Sequence, residues 1–114
     1  ATSTLILTTS AQDIAGATLS LSGGTYLIIG IFDIVGAALD AGSMGVGELV
    51  VGSVVEAAQA IAYLQATSRS TVSQTWSVTL ASATTCKLTG RKTGGTGASQ
   101  MTVVHTTIMA VRLS

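Results

Sequence analysis

The chain is short of nearly every residue type that carries chemistry. Its 114 residues include no proline, one cysteine, one histidine, one tryptophan, two tyrosines and one phenylalanine. Asparagine is absent as well, which excludes N-glycosylation. A lone Cys86 rules out an intrachain disulfide. Set between Thr85 and Lys87 in an alternating stretch, it reads as a small buried hydrophobe, because a reactive thiol needs a cationic, exposed setting. A lone His105 leaves no second imidazole for a metal site or a catalytic triad. Charged residues make up only 9%, against about 25% in typical soluble domains. Five basic and five acidic residues cancel. Only Lys87, Arg91 and Lys92 cluster, which falls short of the basic face that nucleic-acid binding requires. With no proline, sheet edges must be guarded by shortness, loops or neighbouring subunits.

Hydroxyls and small apolar groups fill the gap. Hydrophobic residues reach 47%, and the chain carries 18 threonines, 13 serines and 13 glycines. Low charge weakens the solubility of a free monomer, so this composition suits a protein packed among copies of itself or on a larger particle. Mean hydropathy is +0.64, yet no segment fits a membrane span. Ile14–Phe32 is interrupted by Gly16, Thr18, Ser20, Ser22 and Thr25, and Gly42–Ala66 contains Glu48 and Glu56. The start, Ala1-Thr2-Ser3, has neither the basic residues nor the apolar run of a signal peptide.

The periodicity is that of strands. Thr4–Thr9, Ala17–Ser22, Thr75–Leu80 and Thr85–Arg91 alternate apolar with polar residues. Gly23–Gly24 reads as a two-residue hairpin turn into Tyr26–Val35, since paired glycines accept the positive φ that such turns need. Gly36–Gly47 reads as a long loop with a short helical turn near Ala37–Ala41. Leu49–Val55 and Ala60–Thr67 read as two strands, with a helix over Glu48–Leu64 as the competing reading. Ser82–Thr84 reads as a turn and Thr93–Ser99 as a flexible loop. Met101–Leu113 reads as one long closing strand, with Val103, His105, Met109 and Val111 on one face. About eight strands separated by turn signals, with no confident long helix, point to one all-β domain over residues 1–114, an antiparallel β-sandwich or jelly roll.

Tyr26–Val35 departs from simple alternation, because both of its faces are apolar: Tyr26, Ile28, Phe32 and Ile34 on one, Leu27, Ile29, Ile31 and Val35 on the other. A half-exposed strand would alternate with polar residues. The second face therefore calls for a cover, most simply a second subunit. Asp33 is the odd residue in this run, and its burial would require a cation such as Arg69, Arg91 or Arg112.

No constellation for catalysis emerges. The acidic residues are scattered, Gly94-Gly95-Thr96-Gly97 lacks the Lys-Ser/Thr ending of a phosphate loop, and Trp76 and Tyr63 are single rings. Their joint exposure would mark a recognition platform. His105 is read as a structural residue, with a pH-sensitive contact at a symmetric interface as its sharper role. No enzyme activity, cofactor or metal is expected.

The segments Ala17–Gly30, Trp76–Leu80 with Cys86-Lys87-Leu88, and Thr106–Leu113 resemble the strands of small trimeric jelly rolls found in phage virions, with tumour-necrosis-factor-like or complement-globular-head-like domains. The resemblance implies a homotrimer built around a threefold axis. It also implies a structural virion protein, a capsid cement or decoration protein bound to the major capsid protein on the outer capsid surface. The alternative is a trimeric head- or tail-fibre knob that binds a host receptor or glycan. The candidate subunit-contact residues are Ile29, Ile31, Asp33, Tyr63, His105 and Arg112.

Overall fold

The computed structural model describes residues 1–114 as ten strand segments and one short 3-10 turn at Ala38–Asp40. The segments are β1 (Leu5–Ile6), β2 (Gln12–Leu21), β3 (Gly24–Val35), β4 (Met44–Val51), β5 (Val54–Val55), β6 (Ala60–Tyr63), β7 (Arg69–Leu80), β8 (Thr84–Lys92), β9 (Gln100–Met101) and β10 (Thr107–Arg112). They form two antiparallel sheets. In the first, β3 is paired with β7 along one edge and with β9 and β10 along the other, and β1 lies outside β9. In the second, the order is β2–β8–β4, with β5 and β6 on the far side of β4.

Two of these strands are interrupted. β5 and β6 are successive parts of one strand beside β4, and β9 and β10 are successive parts of one strand beside β3. Counted so, eight strands pair as a folded-back ribbon: β1 with β9, β2 with β8, β3 with β7, and β4 with β5 and β6. The ribbon turns back at Gly52–Ser53 and is rolled into two sheets. This is the jelly roll that the strand spacing indicated.

Several local expectations change. Gly23–Gly24 does not close a hairpin, because β2 and β3 belong to opposite sheets. The pair instead begins an arch from one sheet to the other, and only Gly24 takes a positive φ, +150°. The hydroxyl of Tyr26 donates to the Ser22 carbonyl at 2.9 Å, and Arg112 Nη2 donates to the Gly23 carbonyl at 2.8 Å, so the arch is pinned from both strands that follow it. The true two-residue hairpin is Gly52–Ser53, where Val51 faces Val54 and Gly52 has φ +64°.

The last third of the expected Gly36–Gly47 loop, Met44–Gly47, is strand, namely the start of β4. Its glycines reflect packing: a Cβ on Gly47 would run into the Phe32 ring, and one on Gly45 would crowd Ile34. The helix considered over Glu48–Leu64 does not form, since the valines pair across the Gly52 hairpin. β2 starts earlier than expected and bulges: Asp13 faces Thr89 and Thr18 faces Lys87, leaving Ile14–Ala17 opposite Leu88 alone.

The inward residues of β3 (Tyr26, Ile28, Phe32 and Ile34) meet Leu49, Leu88, Trp76 and Cys86 in the core. Trp76 is buried against Gly30, and its indole N–H donates to the Ala58 carbonyl at 2.9 Å. Cys86 is fully buried as expected, and that burial pushes its thiol up. No helix is long and apolar enough to cross a membrane.

Candidate functional site

β3 turns Leu27, Ile29, Ile31, Asp33 and Val35 away from the core, onto the outer face of the first sheet. The register sets three rows across that face: Ser77–Leu27–Val111, Thr75–Ile29–Met109 and Ser73–Ile31–Thr107. No charged side chain stands among them. The face is graded: β7 contributes only exposed hydroxyls, β3 half-buried aliphatics, and β10 exposed aliphatics. Met109, Val111 and Leu113 are 45%, 51% and 55% exposed. Burying such a surface is favourable by about 25 cal/mol per Å², and its aliphatics lie contiguous rather than scattered.

Asp33 closes one end of this face. Its side chain is wholly buried, with Arg69 Nε donating to Oδ1 at 3.0 Å and Nη2 to Oδ2 at 2.7 Å. The Thr71 and Thr102 hydroxyls donate to the same carboxylate. The Arg69 guanidinium holds the Asp33 carboxyl down at about 2; burial opposes this, and the Thr102 and Thr71 hydrogen bonds reinforce it. The Asp33 backbone also holds residues 102–106, since its N–H donates to Thr106 Oγ1 at 3.1 Å and its carbonyl accepts from Thr102 N at 2.8 Å. Those five residues lie opposite only Phe32 and Asp33, so the expected continuous strand Met101–Leu113 is broken there.

The six candidate contact residues therefore do not form one surface. Ile29 and Ile31 lie together on the outer face. Asp33 has its partners inside its own chain, so its charge is unavailable to a second subunit. Arg112 is occupied at the other end, where it donates to Gly23 O, Ser22 Oγ and Ser114 O and lies 5.7 Å from the Tyr26 ring centre. His105 is exposed in a turn rather than mid-strand, because the chain loops out over Asp33. Tyr63, 71% exposed, lies beside Met44 on the outer face of the second sheet. Trp76 is buried, so the two rings do not form a joint platform. The six omit Leu27, which shares the apolar face of Ile29 and Ile31, and Met109 and Val111, whose signal was the apolar alternation of the closing strand.

A second buried ion pair organises the glycine loop. Lys92 Nζ donates to Asp40 Oδ1 at 2.8 Å and to the Gly97 carbonyl at 2.7 Å, while the Gly97 and Ser99 amides donate to the Asp40 carboxylate. Burial pushes Asp40 up, but Lys92 and these amides outweigh it and hold the group well below the usual carboxylate range. The loop Gly94-Gly95-Thr96-Gly97 thus wraps a carboxylate of its own chain. Glu48 takes Arg91 and Gln59, and Asp13 takes Lys87. Four of the five acidic residues are thus matched one to one with a base, and no three His, Cys, Asp or Glu side chains converge.

No protein-family model matches the chain, and no curated protein matches it. Among solved structures, it is similar to a cycloisomaltooligosaccharide glucanotransferase of Paenibacillus sp., crystallised with cycloisomaltoheptaose. The two share 18% identity over 79% of this chain, at a TM-score of 0.46. The match spans 12% of that enzyme. An overlap this loose carries no functional argument.

Proposed function

We propose that this protein is a structural virion component, a jelly-roll cement protein that assembles as a homotrimer and binds the outer surface of a capsid to stabilise the shell. The observation that carries the reading is the uncharged apolar face formed by Leu27, Ile29, Ile31, Met109 and Val111. It supports self-assembly because four ion pairs close within the chain, leaving burial of aliphatic surface as the main adhesive force. Closed symmetry would bury the same face on every copy. A trimer engaging a lattice of identical sites gains strength from multivalency without any single strong contact. A receptor- or glycan-binding knob is the second reading, and the exposed ring of Tyr63 is what favours it.

The test is the solution mass of the untagged protein, followed by its addition to undecorated capsids. A stable trimer that binds capsids and raises their disruption temperature supports the proposal. A monomer at all concentrations, or a trimer that leaves capsids unbound, overturns it.

A further inference from the structure

Both sheets have open edges, and all but one are blunted. β1 is two residues long, and β2 carries a bulge at Ile14–Ala17. The β5–β6 edge is broken at residues 56–59, and β10 is six residues long and ends at Arg112. Short, bulged, broken or charged edges are the devices that keep sheets from pairing with strangers. β7 lacks them. It runs twelve residues, from Arg69 to Leu80, in unbroken register against β3, with no bulge, no proline and one terminal charge. That charge, on Arg69, is already held by Asp33.

The hydrogen-bond phase identifies which groups of β7 are free. The Gly36 amide donates to the Ser68 carbonyl in the β3–β7 register, so the even-numbered residues of β7 exchange bonds with β3. The N–H and C=O groups of Arg69, Thr71, Ser73, Thr75, Ser77 and Thr79 point away from the sheet. β7 pairs with no strand other than β3. The Gln74 side-chain amide covers one of these groups, the Thr75 carbonyl, at 2.9 Å.

We infer that the β7 edge is an interaction surface for a second copy of this chain, joined by antiparallel β7–β7 pairing across a twofold axis at Gln74. The strand is complementary to itself in that arrangement. The odd-numbered groups of one copy meet those of the other along the strand, and the Thr75 carbonyl exchanges its Gln74 side-chain donor for the Ser73 amide of the second copy. Arg69 falls opposite Thr79 of the second copy instead of its own like charge. Ser73 stands beside Thr75 and Thr71 beside Ser77, and such hydroxyl pairs across antiparallel strands are favourable. The pairing joins the two outer faces into one continuous surface. It is isologous and stops at two copies, so it is separate from the apolar face and does not depend on the trimer.

Residue-resolved amide exchange combined with solution mass, across a concentration series of the pure protein, tests the pairing. Exchange at Thr71, Ser73, Thr75 and Ser77 is expected to slow by about tenfold or more as the copies associate, while the even-numbered amides stay protected throughout. Ser73→Pro removes one outward N–H without touching the ladder to β3, a substitution that edge strands tolerate. Ser73→Lys leaves the backbone intact and places a charge in the pairing register. Both are expected to abolish the slowed exchange and the part of the mass increase that accompanies it, whereas Ile29→Asp, which tests the apolar face, leaves the slowing in place. Fast exchange at these four amides at every concentration, or slowing of exchange unchanged in the Lys variant, overturns the inference.

Discussion

Arg69 reaches diagonally from β7 to grip Asp33 on β3 with two parallel hydrogen bonds, 3.0 and 2.7 Å long. The Asp33 carboxyl, ordinarily near 3.8, titrates at about 2 in the folded chain. The unfolded chain therefore takes up this proton first as the pH falls. Stability from the pair is fully present above about pH 4 and is lost progressively toward about pH 2. Asp40, also lowered, adds loss in the same direction. The melting temperature is expected to be level from neutrality to mild acid and then to drop in that window. Asp33→Asn should flatten part of the drop and cost about 2 kcal/mol at neutral pH, by losing charge-assisted hydrogen bonds. Calorimetry across pH checks both.

The Lys92–Asp40 pair is far more enclosed than the Lys87–Asp13 pair. Lys92→Met strands a buried carboxylate and is expected to cost about 3–5 kcal/mol. Lys87→Ala, at the surface, should cost about 1 kcal/mol or less. Denaturant titration of the two variants gives the contrast. Equal effects would mean that water reaches Asp40.

Ile29→Asp and Met109→Asp lie side by side in the register and should have the same outcome, namely loss of the trimer with the jelly roll and the β7 pairing intact. Light scattering reads the mass, and circular dichroism reads the fold. An unchanged oligomer of unchanged stability in both variants would remove the outer face from the assembly.

Trp76→Ala opens a cavity beside Gly30 and should cost about 3–5 kcal/mol. Trp76→Phe keeps most of the ring but leaves the Ala58 carbonyl without its donor, for about 1 kcal/mol. Thermal unfolding of both separates ring packing from the hydrogen bond.

What the sequence made legible follows from how far each signal acts. Side-chain alternation is local, so β3, β8 and the second half of β7 could be read, and the doubly apolar pattern of β3 correctly marked an apolar outer face. A turn's chemistry, by contrast, does not say which sheet the next strand joins. Gly23–Gly24 looks like a hairpin turn yet begins an arch because β3 finds its partners at β7 and β10. Gly45 and Gly47 read as loop residues because their reason for being glycine, the Phe32 and Ile34 side chains, lies in another strand. Lys92 and Asp40 are 52 residues apart, and no spacing rule connects them. The break at residues 102–106 was hidden for the same reason: Val103–His105 keeps the alternation of a strand while Asp33 holds the chain out of line.

The rolled ribbon also sets the order of events during folding. β3 has both edges occupied only after residues through Arg112 are available, and β4 holds β8 against β2 only after the ribbon has turned back at Gly52–Ser53. Apart from that hairpin, almost no pairing joins neighbours in sequence, and closure of such distant contacts is slow, on the order of milliseconds to seconds. An N-terminal half emerging from the ribosome would hold β2 and β3 with no partner strands, so neither can pair until β7, β8 and β10 have followed. The hairpin β4–β5 is the one nucleus available before then.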